Sequence, residues 1–525
     1  MPLPQMRYRD NIKKTVRETF GGLDLRESAG DGSFAAMLNM SSRHYPLLSP
    51  RERRGRVGAL SAPGGVFADG ELYTVKSGSL FRGSRAVCAV TEGQKTLAAL
   101  GRFIVIFPDK KYYDTVGDVS GTLEQHYAPG AGRLTFCDGL YAGEPAKACC
   151  VVTDGEPFPF RAGDAVTFAG ATREKNNLTA VVREIGLGGR RLTFYENTFD
   201  LGGATAYTEP AAVTVSRTVP ELDFVCQNEN RLWGCKGDTI YASKLGDPFN
   251  WNCFEGLADD SWAVESGSAG DFTGCISYLG YPVFFKEDRI YKVHGAKPSA
   301  FQLMASAVAG VKRGCGRSLA VAGETLLYLS PSGVMAYGGG VPSPVSACLG
   351  EGFSDGVAGS DGRKYYISMR RGETCGLFVY DTERGLWHRE DNSEAIGFAY
   401  LDGLYMLLRD GELLKLTGDM SGLARENAVP SAAETGDIYE SLPDKKGLTR
   451  LQVRVRLEAG AALTAYLSCD GGAWENVGTL YGGSARSAEL PIVPRRCDRW
   501  RLRLEGSGEW RLLALSREYY AGSSR

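Results

Sequence analysis

A weak repeat of roughly 35–50 residues, running from Gly70 to Leu416, constrains this chain more than any other feature. In each unit a strand ends in a small residue. A Gly, Asp or Asn turn follows, and then a strand with an apolar–aromatic pair near its end. GELYTVKSGSLFR (Gly70–Arg82), LDFVCQNENRLWGCKGDTIYASK (Leu222–Lys244), KYYISMRRGETCGLFVYDTERGLWH (Lys364–His388) and IGFAYLDGLYMLLRDGELLKL (Ile396–Leu416) show the pattern. Successive units place Phe81, Tyr112, Tyr241, Tyr291, Tyr337, Tyr380 and Leu414 at corresponding positions. Period-two alternation interrupted by tight turns is the mark of short antiparallel strands, and this spacing is that of a four-stranded propeller blade. The 68 glycines, near twice the usual frequency of about 7%, follow no G-x-y period and supply the turns. The fold expected is all-β: a propeller of about seven blades, with six to eight as the range, carrying added β domains.

The gap from Tyr112 to Tyr241 is too long for one unit, and an insertion of about 100 residues restores the period. FRAGDAVTFAG (Phe160–Gly170), NNLTAVVREI (Asn176–Ile185) and RLTFYENTF (Arg191–Phe199) read as a small barrel or sandwich. The expected organisation has six parts. An extended N-terminal arm (1–60) contains short helices at Asn11–Phe20 and Ser33–Met40. The first blades (61–117) precede the inserted domain (118–219), and the remaining blades follow (220–418). A polar linker (419–445) then leads to a C-terminal β-sandwich (446–525), where LQVRVRLEAGAALTAYL alternates strictly.

The arm is too apolar for a free tail. Leu23, Leu25, Phe34, Met37, Leu38, Met40, Tyr45, Leu47 and Leu48 are anchors for a segment lying across blades or across a neighbouring subunit. Arg51, Arg53, Arg54 and Arg56 follow as a basic cluster, read as a solvated loop with nucleic-acid contact as the alternative. The charge is uneven: residues 1–57 carry net +5, residues 494–525 net +4, and the middle net −11. Basic ends on an acidic body suit docking onto an acidic neighbour.

Catalytic signatures are scarce. There is no phosphate loop, no HExxH and no GxSxG elbow, and His44, His126, His294 and His388 stand apart. No catalytic, cofactor-binding or metal-binding residue is assigned, and no cofactor is expected. The thirteen cysteines contain no CxxC and read as buried thiols rather than a disulfide framework. No apolar run reaches the about 18–20 residues of a membrane span, and MPLPQMRYRDNIKKTV lacks the apolar core of a signal peptide. In GDPFNWN (Gly246–Asn252), Phe249 and Trp251 read as packing anchors, with an aromatic sugar platform as the alternative. SCDGGAW (Ser468–Trp474) approaches the S-x-D-x-G-x-x-W turn of sialidases, but its Trp arrives one residue early, so it reads as a hairpin with a packed Trp474.

GGLDL…AAMLNMSSRHYPLLSPR (21–51) resembles the leading segment of tailed-bacteriophage virion proteins that run into a β-propeller. GDPFNWN, the insertion AGDAVTFAG…NNLTAVVREI…LTFYENTF and the ending LALSREYYAGSSR are similar to the same group. The functional relatives named by this resemblance are the tail-nozzle and packaged-DNA-stabilisation proteins of short-tailed phages. It implies a non-enzymatic virion component of the tail or head–tail region, assembled in the host bacterial cytoplasm. That component forms a homo-oligomeric ring of about six copies, meets other tail and connector proteins, and lets double-stranded DNA pass transiently. An acidic body that repels DNA agrees with a conduit. Two other classes stay open: a tail-tip receptor- or carbohydrate-binding protein, favoured by exposed Trp251 or Trp474, and a propeller glycan hydrolase, which needs two facing carboxylates.

Overall fold

Short turns and alternating apolar positions build one motif repeatedly. In Lys364–Arg371 and Thr374–Asp381, Arg371 pairs with Thr374 across a two-residue turn whose Gly372 sits at φ 55°. Such a left-handed turn matches the twist of the flanking strands. The buried run from Tyr365 to Met369 shows that both faces of this hairpin are covered.

The computed structural model describes residues 12–130, 132–141, 147–441 and 444–521. Among them there is no α-helix, only strands and single-turn 3-10 segments. Seven antiparallel sheets of four or five strands follow one another: 63–89, 96–122, 224–265, 274–306, 320–344, 354–389 and 395–415. Phe81, Tyr112, Tyr241, Tyr291, Tyr337, Tyr380 and Leu414 each lie on the third strand of successive sheets.

The chain divides into two units, Ala62–Arg313 and Met1–Ser61 with Gly314–Arg525. Ala62–Arg313 holds the first four sheets and the insertion. The insertion's strands form a four-stranded and a five-stranded sheet between Gln125 and Arg217. They close on a core of Phe136, Phe168, Phe194 and Phe199 with ring centroids 4.9–5.9 Å apart. Val119–Thr122, expected inside the insertion, is instead the fourth strand of the second sheet.

GDPFNWN fastens the insertion to its neighbours. Trp251 is 1% exposed and its indole N–H donates to the Pro248 carbonyl at 2.9 Å. Phe249 packs edge-on against Phe103 and Tyr112. Asn250 accepts the Ala165 N–H at 2.9 Å and donates to Asp164, which also takes the Arg217 guanidinium at 2.6 Å. Buried this deeply, Phe249 and Trp251 are no sugar platform.

The other unit holds sheets five to seven and a terminal sheet. The seventh sheet is completed from the far end of the chain: Gly55–Ala59 pairs with Glu412–Lys415. Lys446–Cys469 bends, pairing first with Trp510–Ala521 and then with Trp500–Ser507. Two arm segments join this sheet, Ile12–Arg17 against Trp510–Ala521 and Phe34–Leu38 against Pro430–Thr435. Both fall where helices were expected (Asn11 itself lies outside the described residues), because pairing with a distant strand outweighs the modest helix preference of Ala, Met and Leu. The expected linker 419–445 is likewise corrected. Pro430–Thr435 buries Ser431, Ala433 and Thr435 on one face and sits between two strands of the terminal sheet. Phe20, Leu23, Phe34, Met37, Met40 and Leu48 of the arm are buried, whereas Leu25 and Tyr45 are exposed. The Leu23 N–H donates to the Trp387 carbonyl at 2.6 Å, laying the arm across the sixth sheet.

Candidate functional site

Met40–Ser41 pairs with Ser49–Pro50, and this small hairpin delivers the arginines after Pro50 to the sixth and seventh sheets. Arg51 and Arg54 are 5% and 2% exposed. Arg54 reaches Glu390 at 2.7 Å, Asp391 at 2.9 Å and the Ser393 hydroxyl at 3.1 Å. Arg51 reaches Glu426 at 2.7 Å and donates to the Asn39 side-chain carbonyl at 2.8 Å. Burial works against the charge of Arg54, but Glu390, Asp391 and Glu426 outweigh it and hold the guanidinium above its usual range. Burial would likewise raise Asp391 and Glu426. Arg54 beside the first and Arg51 beside the second hold both carboxyls below the usual range.

Neither reading of the basic cluster therefore holds for Arg51 and Arg54: they are neither a solvated loop nor a phosphate-facing patch. A buried cation must be paired, and its partners here stand more than 330 residues away in sequence. Arg53 and Arg56 are exposed, Arg56 beside Glu412 at 3.2 Å. The wider charge argument weakens in the same way. Arg17 pairs with Asp31, Arg43 with Glu509, Arg503 with Glu434, and Arg517 with Asp31 and Glu440. Arg503 with Glu434 and Arg517 with Glu440 join Arg51 and Arg54 in meeting acids of the middle segment, so part of the net charge of both ends is balanced within its own unit.

In front of this network lies an open polar cavity of about 200 Å³, lined among others by Arg43, Asp361, Lys364, Tyr366 and Glu390. The Asp361 carboxylate accepts the Lys364 backbone N–H at 2.7 Å, which fixes it at the turn into Lys364–Arg371. The Tyr366 hydroxyl donates to the same carboxylate at 3.3 Å. Burial, then the charges of Asp361 and Glu390, push the Tyr366 phenol well up, so it remains a donor. Burial pulls the Lys364 ammonium down against the pull of Asp381 at 4.0 Å. Cationic donors, a phenol and carboxylate acceptors thus converge on one space. A polyhydroxylated ligand, whose groups both donate and accept, matches such a lining, and carboxyls facing one cavity, here Glu52, Asp361 and Glu390, are the elements of glycosidic acid–base chemistry. No linear pattern marks Asp361, Tyr366 or Glu390 in KYYISM or HREDNSE, so reading along the chain misses them.

Trp474 is half-buried with the Arg503 guanidinium 4.2 Å from its ring centroid. SCDGGAW is a hairpin turn: the Ser468 hydroxyl donates to the Gly472 carbonyl at 2.7 Å, and Asp470 accepts the N–H groups of Asp498 and Arg499. Among the described residues one trio could hold a metal, Cys253, Glu255 and Asp260, with ligand atoms within 4.8 Å of one another. Most of its ligand atoms are already engaged, Glu255 Oε2 alone being buried without a hydrogen-bond partner. Asp260 accepts three consecutive backbone N–H groups and the Cys253 thiol, and Glu255 pairs with Arg183. The trio closes a loop.

All thirteen cysteines are free thiols, and one pair is chemically distinct. A hydrogen bond from Cys497 holds the Cys469 thiol down to about 7 against burial, with Arg495 assisting, while Cys497 is pushed far up as the proton holder. Iodoacetamide labelling followed by peptide mass spectrometry should find Cys469 modified ahead of the other cysteines, its rate rising through about pH 7. In Cys497→Ala that rise should move toward the usual thiol range, about pH 8.5.

No family model matches the sequence, and no curated protein matches it. Solved structures are similar at low levels. An exo-β-1,3-galactanase from Phanerochaete chrysosporium with galactose is 8% identical, covering 56% of this chain and 94% of its own, at a TM-score of 0.22. The endosialidase of phage phi92 is 8% identical, covering 74% and 73%, at 0.26. A family 43 arabinoxylan arabinofuranohydrolase from Bacillus subtilis, in complex with cellotetraose, is 8% identical, covering 88% and 95%, at 0.14. These values assign neither residues nor substrate to this chain. The expectation of a non-enzymatic chain is corrected to this extent: glycan-cleaving enzymes stand among the similar structures, so the missing motifs exclude no enzyme. That expectation rested on absent linear motifs, and a carboxylate pair facing across about 5–10 Å needs none. The expected nozzle role finds no support among them.

Proposed function

We propose that this chain recognises a glycan in the polar cavity bounded by the arm hairpin and the sixth sheet, and that the seven successive antiparallel sheets are propeller blades. The observation that carries the reading is the convergence of Arg43, Lys364 and Tyr366 as donors with Asp361 and Glu390 as acceptors on one open cavity of about 200 Å³. The space lies below the roughly 300–1,000 Å³ of pockets that enclose drug-sized ligands, which suits one or two sugar rings of a longer chain. On a phage particle, such a site belongs where the tail meets the cell surface rather than along the DNA path. A second reading, cleavage of the bound glycan, is favoured by the presence of Asp361 and Glu390 in the same cavity, with the Tyr366 hydroxyl held against Asp361.

Saturation-transfer NMR against a panel of neutral and acidic oligosaccharides tests both. Binding of at least one class is expected, weakened about tenfold in Asp361→Asn and in Lys364→Met with unchanged melting. A panel without binders, or binding indifferent to both substitutions, would sink the proposal. Release of new reducing ends from the bound oligosaccharide, measured chromatographically, separates cleavage from recognition alone.

A further inference from the structure

A second cavity, of about 270 Å³, opens between the arm strand Phe34–Leu38 and the sixth sheet. Its wall is apolar, with Leu23, Met37, Phe353, Met369 and Phe378, and no carboxylate lines it. Two arginines do, Arg371 and Arg389. Arg371 is exposed at the rim, its guanidinium 4.2 Å from the Phe353 ring centroid, and it donates to the Leu349 carbonyl at 2.5 Å. Arg389 is half-buried and donates to the Asn392 side-chain carbonyl, while its Nε is buried without a hydrogen-bond partner.

The contrast with the rest of the protein is informative. Of the deeply buried arginines, Arg51, Arg54, Arg217 and Arg517 each meet at least one carboxylate, and Arg231 is held by the carbonyls of Ser243, Ala258 and Asp260. Neither Arg371 nor Arg389 forms an ion pair with a described residue, and both face an apolar space. Arg371 keeps its charge in solvent at the rim, while the buried Nε of Arg389 lacks an acceptor, and leaving such a donor unmet inside the protein is costly. A planar guanidinium offers the fork that a carboxylate or sulfonate fits. Met37 and Met369 provide unbranched, adaptable walls for an apolar group of unfixed shape.

We propose that this cavity binds a small amphipathic anion: an apolar body seated among Leu23, Met37, Met369 and Phe378, with a monoanionic head at the rim between Arg371 and Arg389. This site is separate from the glycan reading and stands or falls without it. Titration calorimetry of the full chain with octanoate and with octanol, which share a chain and differ in head charge, tests it. Octanoate should bind, and octanol should bind at least about tenfold more weakly. The double substitution Arg371→Met and Arg389→Met should erase that preference while leaving the melting temperature in place. Met369→Trp, which fills the cavity, should abolish octanoate binding with both arginines intact. Equal binding of the two probes, no binding of octanoate, or a preference that survives loss of both arginines would each overturn the proposal.

Discussion

Replacing Arg54 with methionine is expected to lower the unfolding free energy of the unit containing it by about 3–5 kcal/mol, the range seen when one partner of a buried ion pair is removed. The guanidinium reaches Glu390 at 2.7 Å and Asp391 at 2.9 Å, and its own backbone N–H donates to Glu426 at 2.9 Å. Without it, Arg51 alone faces three carboxylates, and Glu390 must either stay charged while buried or take up a proton. Both alternatives cost more than the lost contact, so the desolvation penalty decides the size of the effect. Arg54→Lys keeps the charge but loses the planar fork that serves Glu390, Asp391 and Ser393 together, so an intermediate loss is expected. Pairing Arg54→Met with Glu390→Gln should cost clearly less than the two single losses added, because the second change removes the charge the first left exposed to the interior. Urea unfolding of the four proteins measures this. Additive losses would mean that the two side chains are not coupled across the 2.7 Å contact.

That network also shows where reading along the chain stops. RERR is a basic run in sequence, and nothing local signals that two of its four residues point inward to acids more than 330 residues on. The repeat was legible for the opposite reason. Each meander is local, its turns fall on Gly, Asp and Asn, and its third strand carries an apolar–aromatic pair, so Phe81 through Leu414 could be aligned without any long-range contact. The closing strand Gly55–Ala59 has no such signature, because Glu412–Lys415, its partner, lies at the other end of the repeat. SFAAMLNM reads as helical along the chain because Ala, Met and Leu favour helices when isolated. Its burial pattern, with Phe34 and Met37 inward, is set by Pro430–Thr435. The polar cavity was invisible for a similar reason. Asp361 and Glu390 are two among 62 acids, and only the fold of the sixth sheet puts them beside Tyr366.

Acidification should destabilise the same unit in two separable stages, and His388 governs the first. Burial, reinforced by the charge of Lys364 and opposed by Asp381, holds its imidazole down to about 4 from an ordinary 6.5. A depressed folded-state value means the stabilisation is fully present above pH 6.5. Below that the unfolded chain binds a proton the folded chain refuses, and stability falls until the pH reaches about 4. At about 1.4 kcal/mol per unit the gap amounts to about 3 kcal/mol, comparable with the loss of Arg54. Asp391 and Glu426 act in the same direction but at lower pH: both are held below their ordinary values, so their contribution persists above the carboxylate range and is lost only as pH falls through their folded-state values. Glu440 opposes them, since burial raises it and acid relieves its charge. Urea unfolding between pH 7.5 and 4 should therefore show a decline in the wild-type protein that begins near pH 6.5 and is clearly shallower in His388→Gln, the remainder coming from His44, which burial also holds below its ordinary value. A decline of equal slope in both proteins would assign the acid sensitivity to the carboxylates and remove His388 from it. A variant stable at pH 4 but as acid-sensitive as wild type near pH 6 would show that another histidine, not this buried one, titrates on unfolding.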